Sequence, residues 1–124
     1  MHDNYRQHLD KTIQWLLKSN HKKGGSRAHF NPVTGWGNPY PETTGYIIPT
    51  LIDYAREYDD QKARKVALNF GEWLLAIQNE KGYWNGGLYP AKKDNPSVFN
   101  TGQILFGMIR LYQETGEENG PYQP

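Results

Sequence analysis

The sequence predicts an all-α protein made of two helical hairpin repeats. Four segments carry apolar residues at the spacing of one helix face, and no segment alternates for long enough to predict a strand. The two halves also match each other at a nearly constant offset. We expect a single all-helical domain over residues 1–124, with the first repeat at about 5–58, the second at about 60–116 and a polar tail at 117–124.

The first two predicted helices are separated by a long loop. The first helix ends before a glycine pair, Gly24-Gly25, and its apolar face consists of Tyr5, Leu9, Ile13, Leu16 and Leu17. The second contains Pro49, which lacks an N–H group and clashes with the preceding turn. We therefore expect this helix either to begin late, near Ile48, or to be kinked. Its apolar face consists of Ile47, Leu51, Tyr54, Ala55 and Tyr58.

The third and fourth predicted helices have clearer ends. Asp60 is placed to cap the third helix and Gly82 follows its end, while its apolar face consists of Ala63, Val66, Ala67, Phe70, Trp73, Leu74 and Ile77. For the fourth helix, Asn100 or Thr101 is the expected cap and Gly116 the terminator. Its apolar residues are Ile104, Leu105, Met108, Ile109, Leu111 and Tyr112. Long loops occupy residues 20–42 and 80–99.

The two hairpins are copies of one unit. Trp15-Leu16-Leu17 matches Trp73-Leu74-Leu75 at an offset of 58, and Thr44-Gly45 matches Thr101-Gly102 at an offset of 57. Helices two and four carry little charge, which predicts an inner ring covered on both sides, whereas the more charged helices one and three predict an outer ring. Alternating inner and outer helices form an α/α toroid, completed by a longer chain or by oligomerisation.

One motif of the second repeat resembles a known toroid signature. Trp73-Leu74, Gln78, Gly82 and Trp84 have the spacing of the QW motif of triterpene cyclases, although Asn69-Phe70 departs from it upstream. The resemblance implies that the Gln bonds backbone groups at the helix end and that the Trp stacks across the next repeat. The first copy is degenerate, because Asn20 replaces the Gln and no Trp follows Gly24 at that spacing.

A wider resemblance covers about residues 9–116. Residues 41–46, 82–87 and 99–103 resemble the prenyltransferase-like and squalene-cyclase-like repeat proteins associated with bacterial polysaccharide biosynthesis. The resemblance implies a toroid of about six hairpins, of which this chain holds two. The lipid chemistry of these families is disfavoured, because the chain lacks the acidic cluster of the cyclases and has no cysteine to ligate zinc.

Composition restricts the partners that we expect. The net charge of +1 gives no general attraction for nucleic acid, and no run of residues is apolar enough for membrane insertion. The chain has no cysteine and its first residues do not resemble a signal peptide, so we expect a cytoplasmic protein. The four histidines show no metal-ligand spacing, and neither a metal nor a cofactor is expected.

The candidate site residues lie in the loops and at the starts of the inner helices. Those expected to bind substrate are Trp36, Trp84, Asn85, Tyr89, Asn100 and Gln103, because aromatic rings stack on sugars while amides bond their hydroxyl groups. Glu42, Tyr40 and His29 are the candidate catalytic residues. Each set has a structural alternative. Glu42 also suits the helix dipole, Trp84 also suits packing, and Asn100 also suits capping.

These observations favour a module that binds or modifies a glycan, in polysaccharide biosynthesis. The partner would be a glycan or a sugar-containing small molecule, together with further copies of the chain or the remainder of a larger toroid. The alternatives are a non-catalytic structural or assembly module and, more distantly, an enzyme like the terpenoid cyclases. Catalysis stays open, because Glu42 alone is an obvious loop-side acid and glycoside hydrolysis ordinarily uses two carboxyl groups.

Overall fold

The computed structural model describes residues 2–116, with side chains from residue 4 onward. Its elements are α1 (His2–Lys18), β1 (Phe30–Asn31), β2 (Gly35–Trp36), α2 (Pro41–Tyr58), α3 (Gln61–Ile77) and α4 (Val98–Thr115). The all-α fold and its two helical hairpins, α1–α2 and α3–α4, are confirmed. A small antiparallel pair, β1–β2, was not expected and lies within the first loop. The predicted tail at 117–124 lies outside the described residues.

Most helix ends follow local side-chain chemistry. The Asp60 carboxylate accepts the Ala63 amide at 3.0 Å and caps α3 as expected. The predicted cap of α4 is wrong, because Ser97 fills that role and accepts the Asn100 amide at 3.1 Å. The helix therefore begins at Val98, and Asn100 is already inside it. Gly116 is the C-terminal cap residue, as predicted.

Helix α2 is continuous through Pro49, so the predicted late start near Ile48 is wrong. The helix begins at Pro41, where a missing N–H group costs nothing. Pro49 leaves the Gly45 carbonyl without its ordinary partner four residues ahead. That carbonyl lies against Gly107 of α4, and a Cβ built on Gly45 would lie only 2.5 Å from the Ile104 Cα. The two glycines therefore allow the backbones of α2 and α4 to approach closely.

The core lies between α2, α3 and α4. Its largest fully buried apolar side chains are Ile13, Ile48, Leu51, Ile52, Phe70, Leu74 and Ile104. Helix α2 is covered by both α3 and α4, as expected for an inner helix. Within residues 2–116, α4 is covered on one side, and the expected cover of its other side is not tested. One face buries Ile104 and Leu111, whereas Leu105 and Ile109 are exposed, because no further hairpin of the described chain follows to cover them.

The loops repeat the same hydrogen bonds in both hairpins. The Ser26 amide donates to Thr44 Oγ1 at 2.8 Å, and the Trp84 amide donates to Thr101 Oγ1 at 2.9 Å. The shared Thr-Gly pair therefore has a structural purpose, since the threonine fixes the loop to the start of the inner helix. Three further backbone hydrogen bonds of the first repeat recur in the second. In the order amide donor to carbonyl acceptor, those of the first repeat are Tyr40 to Ser26, His21 to Gly25 and Gly24 to His21. Their counterparts in the second repeat are Ser97 to Trp84, Asn79 to Tyr83 and Gly82 to Asn79.

A polar network fastens α1 to α2. Asp10 Oδ1 accepts hydrogen bonds from Arg6 Nε and from the Tyr54 hydroxyl, each at 2.8 Å. The Arg6 guanidinium also lies 3.6 Å from the centre of the Tyr58 ring. The hydrogen bond from Arg6, followed by that from Tyr54, lowers the pKa of Asp10 below its ordinary value. Burial and the bond to Asp10 raise the pKa of Tyr54.

This network is expected to make stability depend on acid pH. Because the pKa of Asp10 is lower in the folded chain, the unfolded chain binds the proton more readily, and the free energy of unfolding should fall as the pH drops below about 4. Asp10→Asn should flatten this dependence in urea unfolding curves recorded at several pH values. Glu72→Gln, which removes an exposed carboxylate on α3, is the control. An unchanged slope in Asp10→Asn would contradict the assignment.

Residues 2–116 offer neither a membrane span nor a metal cluster. None of the helices there is both long and apolar enough to span a bilayer. The same residues contain no cluster of three or more His, Cys, Asp or Glu side chains that could hold a metal ion.

Candidate functional site

The two long loops meet beside the outer helix of the second repeat. The Tyr89 amide of the second loop donates to the Pro39 carbonyl of the first at 2.9 Å. The Tyr89 ring stands edge-on to Trp73, with 5.3 Å between ring centroids. Trp73 in turn packs against Gly24-Gly25, where a Cβ on Gly25 would lie 2.6 Å from the indole Cζ3 atom. Residues far apart in sequence therefore form one continuous surface.

Two neighbouring cavities open on this surface and share Ile77, Tyr89 and Pro90. The first, which we call the Trp84 cavity, has a volume of about 350 Å³ and is lined in part by Pro41, Trp84, Asn85, Tyr89, Lys93 and Asp94. The second, the Trp73 cavity, has a volume of about 520 Å³ and is lined in part by His21, Lys23, Pro39, Trp73 and Tyr89. Tyr89 therefore stands between the two cavities.

Three of the predicted substrate-binding residues line the Trp84 cavity, but they are not equally available. Tyr89 is exposed. The Trp84 side chain is only 3% exposed, and its indole N–H donates to the Leu74 carbonyl at 2.8 Å. This geometry favours packing as its main role. Asn85 Oδ1 accepts the Asn95 amide at 2.8 Å, which leaves its NH₂ group to meet a ligand.

The other three lie elsewhere. Trp36 packs against Trp15 of α1 and Phe30 of β1, with ring centroids 4.9 and 5.1 Å apart. Asn100 is buried in the first turn of α4, and Gln103 is half-buried one turn later. The six residues therefore do not form one cluster. Trp36 belongs to an exposed aromatic group rather than to either cavity described above.

Two of the three candidate catalytic residues, Tyr40 and Glu42, lie at the start of α2, whereas His29 lies in the loop that precedes it. The His29 ring lies over Gly37, Tyr40 is the residue that precedes α2, and Glu42 is half-buried in its first turn. Within the described part of the chain, no hydrogen bond or ion pair joins the side chains of these three. Their catalytic roles therefore stay predictions.

Basic groups border the two cavities. Lys93 lies beside Asp94 in the Trp84 cavity, and His21 lies beside Lys23 in the Trp73 cavity. Burial, followed by the charges of Arg27, Lys23 and Lys22, lowers the pKa of His21 and favours its neutral form. Its Nδ1 atom accepts the Lys23 amide at 3.0 Å, which is consistent with a neutral ring. Desolvation and the Asp94 carboxylate raise the pKa of Tyr83.

The sequence reasoning did not include His21, Lys23 or Lys93. No motif of the sequence singles out these residues, because the corresponding residues 79–83 of the second loop line neither cavity. The QW-like residues also differ from their expected roles. Gln78 Nε2 donates to the Gly82 carbonyl at 2.8 Å, and it is Trp84 that bonds the Leu74 carbonyl in the last turn of α3.

The fold and loops define two hairpins of the α/α-toroid type, with cavities at the loop surface. No family model matches the chain, and no solved structure matches it. Among curated proteins, the chain is similar to the unsaturated 3S-rhamnoglycuronyl hydrolase of Alteromonas sp. (strain LOR), with 39% identity over 64 residues. The match takes in 49% of this chain and 16% of that enzyme, so the chain spans less than a fifth of its relative. This is weak homology to a hydrolase named for a rhamnoglycuronyl substrate.

Proposed function

We propose that this chain is a glycan-binding module of an α/α toroid, and that it holds an acidic sugar at the Trp84 and Trp73 cavities. The observation that carries the proposal is the lining of the Trp84 cavity, where Tyr89, Asn85 and Lys93 come together. The similarity to an enzyme named for a rhamnoglycuronyl substrate supports the same class of ligand.

Each of these side chains matches one part of a uronic acid. The exposed Tyr89 ring offers an apolar face on which a sugar ring can stack. The free NH₂ group of Asn85 can donate to a sugar hydroxyl. A glycuronyl group carries a carboxylate, which Lys93 in one cavity and Lys23 in the other can pair with. The mixed polar lining fits a terpenoid substrate less well.

We assign neither synthesis nor cleavage of a glycan to the chain. A role in polysaccharide biosynthesis follows from the family resemblance, whereas the name of the relative describes hydrolysis. Pro41 and Asp94 line one cavity, and Glu42 follows Pro41 directly, so Glu42 and Asp94 are the carboxyl pair to examine for hydrolysis. Loss of turnover in both Glu42→Gln and Asp94→Asn, with sugar binding retained, would give the pair that role.

A titration with an unsaturated uronyl disaccharide tests the proposal. Trp73 and Trp84 line the cavities, so binding should change the tryptophan fluorescence. Lys93→Met should weaken binding about tenfold, equivalent to roughly 1.4 kcal/mol, because it removes the cation that pairs with the carboxylate. Lys92→Met is the matched control, since this exposed neighbour lies outside both linings and should leave the affinity unchanged.

Two further measurements complete the test. Tyr89→Ala should weaken binding of both acidic and neutral disaccharides, whereas Tyr5→Ala on α1 should weaken neither, because Tyr5 is exposed away from the cavity walls. A neutral disaccharide should respond equally to wild type and to Lys93→Met. Absence of any fluorescence change with either sugar, or equal losses in Lys92→Met and Lys93→Met, would refute the proposal.

A further inference from the structure

A third cavity continues the surface on which the Trp84 and Trp73 cavities open. This cavity, which we call the Asn69 cavity, has a volume of about 450 Å³ and is lined in part by Lys22 and Asn69. It shares His21 and Trp73 with the Trp73 cavity, which in turn shares Tyr89 with the Trp84 cavity. The three cavities therefore form one continuous groove, with the Trp73 cavity in the middle.

One face of α3 forms the floor of this groove. Its residues follow one another at the spacing of three and four that places side chains on the same side of a helix, and each of them lines at least one of the three cavities. They are Asn69, Glu72, Trp73, Ala76 and Ile77. From the first to the last of them the helix rises by about 12 Å. The groove is therefore longer than one sugar ring and suits an extended ligand.

Positive charge is repeated along the groove. Lys93 lines the Trp84 cavity, Lys23 lines the Trp73 cavity, and Lys22 joins Lys23 in the Asn69 cavity. The carboxylates of the groove are Asp94 at one end and Glu72 at the other. A chain of acidic sugars carries carboxylates at intervals and can pair with several of these lysines at once, whereas a single sugar acid pairs with one.

Groups that suit sugar hydroxyls also continue past the first two cavities. His21 lies where the Trp73 and Asn69 cavities meet. Its Nδ1 atom accepts the Lys23 amide at 3.0 Å, so the neutral ring carries its proton on Nε2 and can donate it to a ligand. The Asn69 amide and the Glu72 carboxylate are exposed on α3 and can bond further hydroxyl groups.

We propose that the ligand of this chain is an acidic glycan of at least three sugar units, which lies along α3 with one unit in each cavity. Tyr89 and His21 stand at the two junctions between cavities, so consecutive sugars pass these two rings. The lysine in each cavity selects a polymer with repeated carboxylates. This inference rests on the proposed function, which requires only the Trp84 and Trp73 cavities.

A comparison of two chain lengths tests the inference. An unsaturated uronyl tetrasaccharide should bind about tenfold more tightly than the disaccharide in the same fluorescence titration, because only the longer sugar reaches the Asn69 cavity. Lys22→Met should remove most of that gain and leave the affinity for the disaccharide unchanged. Lys62→Met, at an exposed position of α3 outside all three linings, is the matched control and should change neither affinity.

A second variant keeps the test independent of charge. Asn69→Ala should weaken binding of the tetrasaccharide and not of the disaccharide, with an unchanged far-UV circular dichroism spectrum, because Asn69 is exposed. Equal affinities of wild type for the two sugars, or equal effects of Lys22→Met and Lys62→Met on the tetrasaccharide, would overturn the three-cavity groove. The proposed function would survive that result if Lys93→Met still weakened disaccharide binding. Absence of binding by both sugars would overturn the two proposals together.

Discussion

Gly107→Ala is expected to lower the free energy of unfolding by about 3 kcal/mol, which is at the upper end of ordinary overpacking costs. The new Cβ would fall on the carbonyl oxygen of Gly45, at the point where α2 and α4 cross. A backbone oxygen cannot rotate away as a side chain can, so the two helices must separate. That separation would disturb Ile48 and Ile104, which are fully buried beside the crossing.

A glycine-to-alanine substitution elsewhere in α4 should have the opposite effect on the free energy of unfolding. Gly102 lies inside the helix with open space beside it, so Gly102→Ala gains helix propensity and should raise stability by up to about 1 kcal/mol. Urea unfolding followed by circular dichroism measures both variants. Equal effects of the two substitutions would show that the backbones do not approach at Gly107.

Trp84→Ala is expected to lower the free energy of unfolding by about 3–5 kcal/mol, as truncations of large aromatic side chains in a core do. It would leave an empty space beside Leu74 and remove the indole donor of the Leu74 carbonyl. Trp84→Phe separates the two causes, because the phenyl ring keeps most of the volume and loses only the hydrogen bond. We expect Trp84→Phe to lower the free energy of unfolding by about 1–2 kcal/mol.

Trp36→Ala is the control for the truncation. Trp36 contacts Trp15 and Phe30 in a partly exposed aromatic group, and its loss should cost about 1 kcal/mol. The comparison decides between the packing and ligand-binding interpretations of the two residues. Equal losses of stability in Trp36→Ala and Trp84→Ala would contradict the assignment of Trp84 as a packing residue, because only Trp84 is buried.

Features that depend on neighbouring residues were predictable from the sequence. Asp60 caps α3 because its carboxylate reaches an amide three residues ahead, a distance that the local chain sets. The internal repeat was also visible, since Thr44-Gly45 and Thr101-Gly102 fill the same structural role in both loops. The start of α4 was misplaced because Ser97, Asn100 and Thr101 are all capping residue types, and side-chain type alone does not choose between them.

Features that depend on long-range packing were not predictable. Pro49 predicted a late start or a kink of α2, because the sequence does not show that Gly107 lies against the carbonyl that the proline leaves unpaired. The candidate site shows the same limit. Tyr89 and His21 border one cavity only because the two loops join at Pro39, a contact between backbone atoms 50 residues apart. Residue type predicted which side chains suit a sugar, but not which of them lie together.

Three buried hydroxyl groups, which lie in the first loop and at its two ends, determine how that loop should move. Ser19, Ser26 and Thr44 are buried and joined by hydrogen bonds of 2.9 Å between Ser19 Oγ and Ser26 Oγ and 2.8 Å from the Ser26 amide to Thr44 Oγ1. Exposing the Ser26 amide to solvent would also uncover the start of α2, so its hydrogen exchange should be as slow as that of the helix core. A loop held in this way is preorganised, and a ligand that binds against it pays little entropy for ordering it.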